Sequence, residues 1–212
     1  METVSQIIEL LSNEYPHAVI TLKYETPLQL LVSAILSAQS TDERVNQITP
    51  ELFERFRTCR DFASATPEEL HKYIKPAGLY RQKGAFIIGA CKKIINTYKG
   101  EVPHTMEELL TLPGVARKTA NVVLSNAFDV LDGIIVDTHV RRLSRRLGLT
   151  TKEDPVKIEK DLMAIIPPEE WLHFANLLLY HGREVCHAQN PECYHCVIRE
   201  LCPSRRDIDL AG

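Results

Sequence analysis

Residues 105–128 read T-M-E-E-L-L-T-L-P-G-V-A-R-K-T-A-N-V-V-L-S-N-A-F, and residues 133–142 read G-I-I-V-D-T-H-V-R-R. Thr105, with Glu108 three residues later, forms the capping-box pattern and predicts a short helix. The letters L-P-G-V at 112–115 predict a tight turn, and a second helix follows from near Ala116. The pattern is therefore helix, hairpin and helix. Unpaired backbone N–H groups at the start of the second helix can bind a phosphate there.

The rest of the chain shows the same helical pattern. Glycine and proline separate amphipathic segments, and no segment alternates apolar and polar residues for long. The sequence therefore predicts an all-α fold of about ten helices. Within it, Ser40 with Glu43 predicts one helix start and Pro50 after Thr49 predicts another. Asp137 is the predicted N-cap of a helix that stops at Gly148.

Composition places the chain among ordinary globular proteins. Its 212 residues are 44% hydrophobic and 25% charged, enough for one large domain or two small ones. No apolar run approaches the roughly 20 residues of a membrane span, and no signal-peptide pattern opens the chain. We therefore expect a reducing, intracellular location, cytoplasmic in a prokaryote, and no membrane partner. In that setting six cysteines favour a metal centre over disulfides.

The formal net charge of −3 does not by itself indicate a partner, but the charges are unevenly distributed. Residues 71–100 contain no acidic residue. Their basic residues are Lys72, Lys75, Arg81, Lys83, Lys92, Lys93 and Lys99. A second basic group comprises Arg141, Arg142, Arg145 and Arg146. Such groups can form a basic surface that binds a polyanion, or they can simply be solvated helix faces.

Four cysteines near the C-terminus are spaced as C-x6-C-x2-C-x5-C. They are Cys186, Cys193, Cys196 and Cys202. Four thiolates in this arrangement suit a soft metal centre, and spacing alone fits either tetrahedral zinc or an iron–sulfur cluster. Cys59 and Cys91 stand outside the group and are predicted to be small buried residues.

The motifs together resemble the helix-hairpin-helix DNA glycosylases, specifically the endonuclease III branch. The resemblance rests on L-P-G-V-A-R-K-T-A-N-V-V-L at 112–124 and V-D-T-H-V at 136–140. L-S-A-Q-S-T-D at 36–42, G-L-Y-R-Q-K at 78–83 and the cysteine spacing occur in the family's order, so nearly the whole chain is covered. Ala116 departs from the pattern, because many members carry a second hairpin glycine there.

The resemblance implies a fold and a function. It implies two helical domains with a DNA-binding cleft between them: a six-helix, barrel-like domain at 21–133, and a discontinuous domain formed by 1–20 and 134–212. The implied protein is a monomeric, bifunctional DNA N-glycosylase and abasic-site lyase. It would remove oxidised pyrimidines from double-stranded DNA in base excision repair. The alternatives are a mismatch-specific glycosylase of the same family and a non-catalytic iron–sulfur protein that binds DNA or senses redox state.

The resemblance also implies roles for individual residues. Lys118 would be the nucleophile, in surroundings that favour its neutral amine, and Asp137 the carboxylate that stabilises charge on the sugar or takes a proton. Gln39 and Leu79 would enter the DNA helix when the damaged nucleotide is extruded. The implied phosphate-binding residues are Gly114, Val115, Ala116 and Arg117. The four clustered cysteines would hold a [4Fe–4S] cluster.

Overall fold

The computed structural model describes residues 2–205, which form eleven α-helices and no β-strand. The α-helices are α1 (Glu2–Glu14), α2 (Pro27–Leu36), α3 (Asp42–Arg55), α4 (Cys59–Ser64), α5 (Pro67–Ile74), α6 (Tyr80–Tyr98), α7 (Met106–Leu110), α8 (Arg117–Ala127), α9 (Thr138–Arg146), α10 (Pro155–Met163) and α11 (Trp171–Glu184). Short 3₁₀ segments lie at Lys75–Ala77, Pro168–Glu170, Cys193–His195 and Arg199–Leu201. The predicted all-α fold is confirmed.

The chain divides into two compact units. Residues 20–132 form one, and residues 1–19 with 133–212 form the other, of which the described part ends at 205. Helices α2 to α8 belong to the first unit, and α1 and α9 to α11 belong to the second. The sequence-based assignment of 21–133 and of 1–20 with 134–212 as folding domains stays a prediction.

The first unit is built around one apolar core. Helix α2 is buried from Leu30 to Leu36, as expected for a helix with apolar residues on almost every side. Helix α6 packs against both α4 and α5, while α2 packs against α8. This core supports the hairpin that precedes α8, the loop between α2 and α3, and the loop that precedes α6, because these helices are packed in it.

Helix α3 corrects two sequence-based predictions. It runs without interruption from Asp42 to Arg55 with Pro50 inside it, whereas a new helix was predicted to start at Pro50. Proline removes one backbone hydrogen bond from a helix interior. The helix continues because Val45, Thr49 and Leu52 lie on one buried face, so tertiary packing outweighs the local preference. Its N-cap is Thr41, whose hydroxyl accepts from the Arg44 N–H, rather than the predicted Ser40.

The sequence analysis missed the short helix α4. Thr58 and Asp61 form a complete capping box at its start: the Thr58 hydroxyl accepts from the Asp61 N–H, and the Asp61 carboxylate accepts from the Thr58 N–H. Its buried residues are Cys59 and Phe62. The pattern T-x-x-D was present in the sequence and was the signal for this helix.

In the second unit, the N-terminal helix packs against α11. The Ser12 hydroxyl lies 2.7 Å from His173 Nε2, and the Tyr15 hydroxyl lies 3.1 Å from His181 Nδ1. Helix α9 also packs against α11. Consequently α11 is in contact with both α1, at the start of the chain, and α9, which carries Asp137 at its N-cap.

Candidate functional site

The predicted hairpin is present between α7 and α8. Thr105 caps α7 by accepting from the Glu108 N–H, and the Val115 N–H donates to Leu112 O at 3.2 Å. Leu112 and Val115 are buried, so the turn is anchored in the core of the first unit. The Val115 N–H is therefore already engaged in the turn, and its predicted role as a phosphate donor is less favourable than that of its neighbours.

Gly114 is required at the hairpin for two reasons. Its φ is +79°, and a Cβ built on it would lie 2.7 Å from Phe86 Cβ on α6.

We expect Gly114→Ala to lower the free energy of unfolding by about 2–4 kcal/mol, from left-handed strain plus overpacking. Gly100→Ala is the matched control, because Gly100 has φ +92° and no atom within 4 Å of the added Cβ. Urea unfolding should show a smaller loss, about 1–2 kcal/mol, for the control. Equal losses would contradict a Phe86 clash.

Lys118 lies in the first turn of α8, immediately after the hairpin. Its side chain is exposed, so the protein residues alone do not provide the dry surroundings expected from the sequence. Asn121 and Ser125 lie on the same side of α8 by helical spacing, but both are buried. The polar face of α8 therefore reaches solvent only in its first turn, where the lysine is.

The start of α8 has no side-chain cap. Its N-cap is Ala116, which provides no side-chain acceptor, whereas Thr26, Thr41, Thr66 and Asp137 cap other helices with side-chain oxygens. The first turn of a helix leaves N–H groups without intrahelical partners and carries partial positive charge. Ala116 also leaves room for an approaching phosphate, because its side chain is a single methyl group.

Arg117, the first residue of α8, is held by Asp132. Its Nη2 lies 3.6 Å from Asp132 Oδ2, and both side chains are more than one-third exposed. An exposed pair of this kind contributes little to stability and is screened by salt. A phosphate can therefore compete with Asp132 for the guanidinium group.

Asp137 is the N-cap of α9, as predicted. Its Oδ1 accepts from the N–H groups of His139 and Val140, both at 2.8 Å. Both bonds go to Oδ1, so Oδ2 takes no part in the cap. The carboxylate is thus fixed in direction while one oxygen is left for chemistry. Lys118 and Asp137 belong to different compact units.

His139, two residues after Asp137, has a structural role in α9. Its Nδ1 lies 3.2 Å from Arg142 Nη2. Burial lowers the pKa of His139, an effect that Asp137 opposes and Arg142 reinforces. A half-buried ring engaged with an arginine fits a structural role for His139 rather than that of a second base.

Gln39 and Leu79 share an uncommon backbone conformation. Both are exposed, Leu79 to 51%, and both have positive φ, 56° for Gln39 and 47° for Leu79. Few non-glycine residues adopt this conformation, and it persists only where surrounding contacts enforce it. Leu79 is the N-cap of α6, although it offers no side-chain acceptor for that helix. The strained conformation indicates that the fold maintains the backbone direction at Gln39 and Leu79 at a cost in local stability.

The four clustered cysteines line one cavity in the second unit. Its apolar wall includes Leu143, Leu147, Val185 and Ile198. Burial raises the pKa of Cys196 to about 11 and also raises that of Cys202. Among residues 2–205, no three histidine, cysteine or acidic side chains converge on a single metal-ion position.

Two arginines of α9 hold the cysteine loop, a role that the sequence analysis missed. Arg142 donates to Gly182 O at 2.8 Å and to Cys186 O at 2.9 Å. Arg146 donates to His187 O at 2.7 Å and lies 3.2 Å from Cys186 Sγ. These guanidinium groups therefore bind the cysteine loop, although Arg142 and Arg146 also line an open surface pocket together with Arg141 and Arg145. Only their i, i+4 spacing, which places both on one helix face, was visible in the sequence.

His181 connects α1 to the cysteine loop. It is buried, with Nδ1 at 3.1 Å from the Tyr15 hydroxyl and Nε2 at 3.4 Å from Cys196 Sγ. Burial lowers the pKa of His181 to about 4 and raises that of Tyr15. A neutral imidazole has one N–H, so the tyrosine can donate to Nδ1 while Nε2–H donates to the sulfur.

Cys59 and Cys91 are both buried in the first unit, as predicted. The Cys91 thiol donates a hydrogen bond to Cys59, and this bond, reinforced by burial, raises the pKa of Cys91. Both thiols therefore belong to the packing of this unit.

Comparison with known proteins defines the family. Residues 32–168 match the HhH-GPD superfamily of base excision DNA repair proteins. Endonuclease III of Synechocystis sp. is 52% identical over 203 residues, covering 96% of this chain and 93% of that protein. The chain belongs to the endonuclease III family. The resemblance inferred from the hairpin and the V-D-T-H-V segment is therefore confirmed.

Solved structures of endonuclease III agree with this membership. A non-covalent endonuclease III–DNA complex matches with a TM-score of 0.94 and 40% identity, covering 100% of this chain and 98% of that one. A trapped covalent endonuclease III–DNA intermediate matches with a TM-score of 0.92 and 41% identity, covering 97% of both chains. All regular secondary structure in the described part of this chain is helical. Within residues 2–205, no helix has the length and apolar character needed to cross a bilayer.

Proposed function

We propose that this protein is a bifunctional DNA N-glycosylase and abasic-site lyase that removes oxidised pyrimidines from double-stranded DNA. The observation that carries the proposal is full-length similarity to endonuclease III, including a form trapped covalently on DNA, in a chain with an exposed Lys118 after its hairpin. An amine is the side-chain group that forms a Schiff base with a sugar carbon.

Lys118 Nζ is the nucleophile. The neutral amine attacks C1′ of the damaged nucleotide, the C1′–N bond to the base breaks, and the base leaves with its electron pair and takes up a proton. The nitrogen then loses one proton, the C1′–O4′ bond of the sugar ring breaks as O4′ takes up a proton, and a protonated C1′ Schiff base remains. Removal of a proton from C2′ then drives elimination of the 3′ phosphate, which cleaves the strand. Exposure of Lys118 allows access to the sugar, and bound DNA must supply the desolvation that favours the neutral amine.

Asp137 is the carboxylate of the reaction. Oδ1 is fixed by two backbone N–H groups, and Oδ2 can stabilise the positive charge that develops on the sugar or accept a proton from the amine. A fixed anion needs little reorganisation as charge develops. The N-cap therefore provides both stability for α9 and direction for the catalytic carboxylate.

DNA binding uses the hairpin and the two strained loops. The Gly114 and Ala116 N–H groups, with the first turn of α8, bind backbone phosphate, and Arg117 exchanges Asp132 for phosphate. Val115 contributes by anchoring the turn. Gln39 faces the base left unpaired by extrusion, and Leu79 enters the stack. Their exposure and fixed backbone direction support these roles.

The cysteine quartet holds a [4Fe–4S] cluster. Each thiolate binds a different iron of such a cluster, so the four sulfurs need to line one cavity rather than converge on one atom. Arg146 and His181 would each hydrogen-bond a ligand sulfur, Cys186 and Cys196 respectively. When bound, the cluster supplies soft-metal coordination that ties the loop to α9 and α11.

Cluster content gives a direct prediction. We expect anaerobically purified protein to contain about four iron atoms and four sulfides per chain, and Cys196→Ser to contain almost none. Iron and acid-labile sulfide assays measure this, and limited proteolysis should then cut residues 186–202 faster. Cys59→Ala, outside the quartet, is the control and should retain the iron. One zinc per chain in the unaltered protein would refute the iron–sulfur assignment.

The function itself is tested by borohydride trapping on abasic duplex DNA in excess chelator. We expect a covalent adduct, and we expect strand cleavage to continue, because a lyase needs no dissociable metal. A panel of duplexes with oxidised pyrimidines and with mismatched bases follows. Release of mismatched adenine or thymine in preference to oxidised pyrimidine would instead support a mismatch glycosylase. DNA binding without adduct or product would support a non-catalytic iron–sulfur protein.

A further inference from the structure

Lys83 is a buried lysine whose ammonium group donates to two carbonyl groups of the backbone. It lies in α6, its side chain is 3% exposed, and Nζ donates to Leu36 O at 2.8 Å and to Ala77 O at 2.7 Å. Burial lowers its pKa. The sequence analysis had counted Lys83 within a basic run, but a buried ammonium group cannot bind DNA phosphate.

The two carbonyl groups occupy equivalent places. Leu36 is the last residue of α2, and Ala77 is the last residue of the 3₁₀ segment Lys75–Ala77. The last carbonyls of a helix lack intrahelical partners and carry partial negative charge, so an ammonium group is favourable there. One side chain thus caps the ends of two separate segments.

Each capped end leads directly to one of the strained, exposed residues. Gln39 follows Leu36 by three residues, and Leu79 follows Ala77 by two. The backbone N–H of Lys83 also donates to Leu79 O at 3.0 Å. Lys83 is therefore bonded, through its main chain or side chain, to the segments that lead to Gln39 and to Leu79.

We propose that Lys83 is a positioning residue that fixes the spacing of Gln39 and Leu79 for joint entry into the DNA duplex. The inference rests on the proposed function and extends it to a residue that touches neither DNA nor the reacting atoms. Entry at a single extruded nucleotide requires the two side chains at a set separation, because the orphaned base and the gap in the stack are adjacent. The ammonium group sets that separation by binding both loop bases at once.

The test compares two substrates for Lys83→Met, which keeps the chain length and removes the donors. Duplex DNA with an oxidised pyrimidine requires extrusion and insertion, whereas a single-stranded abasic site exposes C1′ without them. We expect activity on the duplex to fall about tenfold to a hundredfold. Activity on the single strand should stay within about threefold of the unaltered enzyme. Lys23→Met, at an exposed lysine of the same unit, controls for the loss of one charge.

The ratio of the two activities does not depend on how much enzyme is folded, so partial unfolding leaves the test valid. Lys83→Gln, which can still donate to one carbonyl, should give an intermediate ratio.

Leu79→Ala provides the second readout: adding Lys83→Met to it should lower duplex activity less than about threefold further, because both changes act on the same step. Equal loss on both substrates, or multiplicative losses in the double variant, would overturn the positioning role. An unaltered enzyme inactive on both substrates would instead refute the proposed function.

Discussion

We expect Lys118→Gln to abolish the borohydride-trapped adduct and to lower strand cleavage at abasic sites by about a thousandfold or more. The amide nitrogen of glutamine is not nucleophilic and cannot form a Schiff base, although the side chain is similarly polar. Lys118 is exposed in the first turn of α8, so the substitution leaves the core untouched and the variant should unfold at the same urea concentration as the unaltered protein. The measurement is gel-based trapping with time courses of cleavage.

Lys157→Gln serves as the matched control, since Lys157 is an exposed lysine on α10 of the other unit. It should retain full trapping. The affinity of Lys118→Gln for DNA should change by only a few fold, because the substitution removes one positive charge among many. Trapping that survives in Lys118→Gln would remove this lysine from the mechanism and direct attention to another amine.

Asp137→Asn should lower glycosylase activity by about a hundredfold to ten-thousandfold while stability stays almost unchanged. Asparagine is as good an N-cap as aspartate, so its side-chain oxygen can still accept from the His139 and Val140 N–H groups. It is, however, neutral, and cannot stabilise a cationic sugar or accept a proton. Single-turnover kinetics on a duplex with an oxidised pyrimidine, with urea unfolding alongside, measure the two effects separately.

Asp137→Ala completes the comparison. It removes both the charge and the cap, so we expect the same loss of activity together with about 0.5–2 kcal/mol of stability. If Asp137→Asn kept full activity and only Asp137→Ala lost it, the carboxylate would act as a cap alone. The pair of variants thus distinguishes catalysis by charge from support of α9, which the geometry of Asp137 combines in one residue.

The charge distribution shows where sequence reasoning reached its limit. Lys83, Arg142 and Arg146 were counted with surface basic groups, yet each donates to backbone carbonyls of its own unit. A linear sequence gives the sign of a charge but not its partner, since those partners lie 6 to 47 residues away. The surface available for binding DNA is correspondingly less basic than composition suggested.

Pro50 and two polar residues of α8 show further reasons why the sequence alone did not predict the structure. Pro50 is a strong local signal for a helix start, but buried contacts on both sides of it keep α3 continuous. Asn121 and Ser125 of α8 are polar, and polar side chains usually lie in solvent, yet both are buried. In each case packing energy summed over several residues exceeded a local preference of about a few kcal/mol or less.

The sequence by itself determined the helix-hairpin-helix, most helix starts, the Asp137 cap and the grouping of four cysteines. These depend on interactions between residues a few positions apart, and short patterns encode such interactions directly. The tertiary structure alone decided that Lys83 joins the loops of Gln39 and Leu79, that Arg142 and Arg146 hold the cysteine loop, and that Lys118 is exposed. Those outcomes depend on which distant segments pack together, and side-chain hydrogen bonds can form only after that packing has brought their partners within about 3 Å.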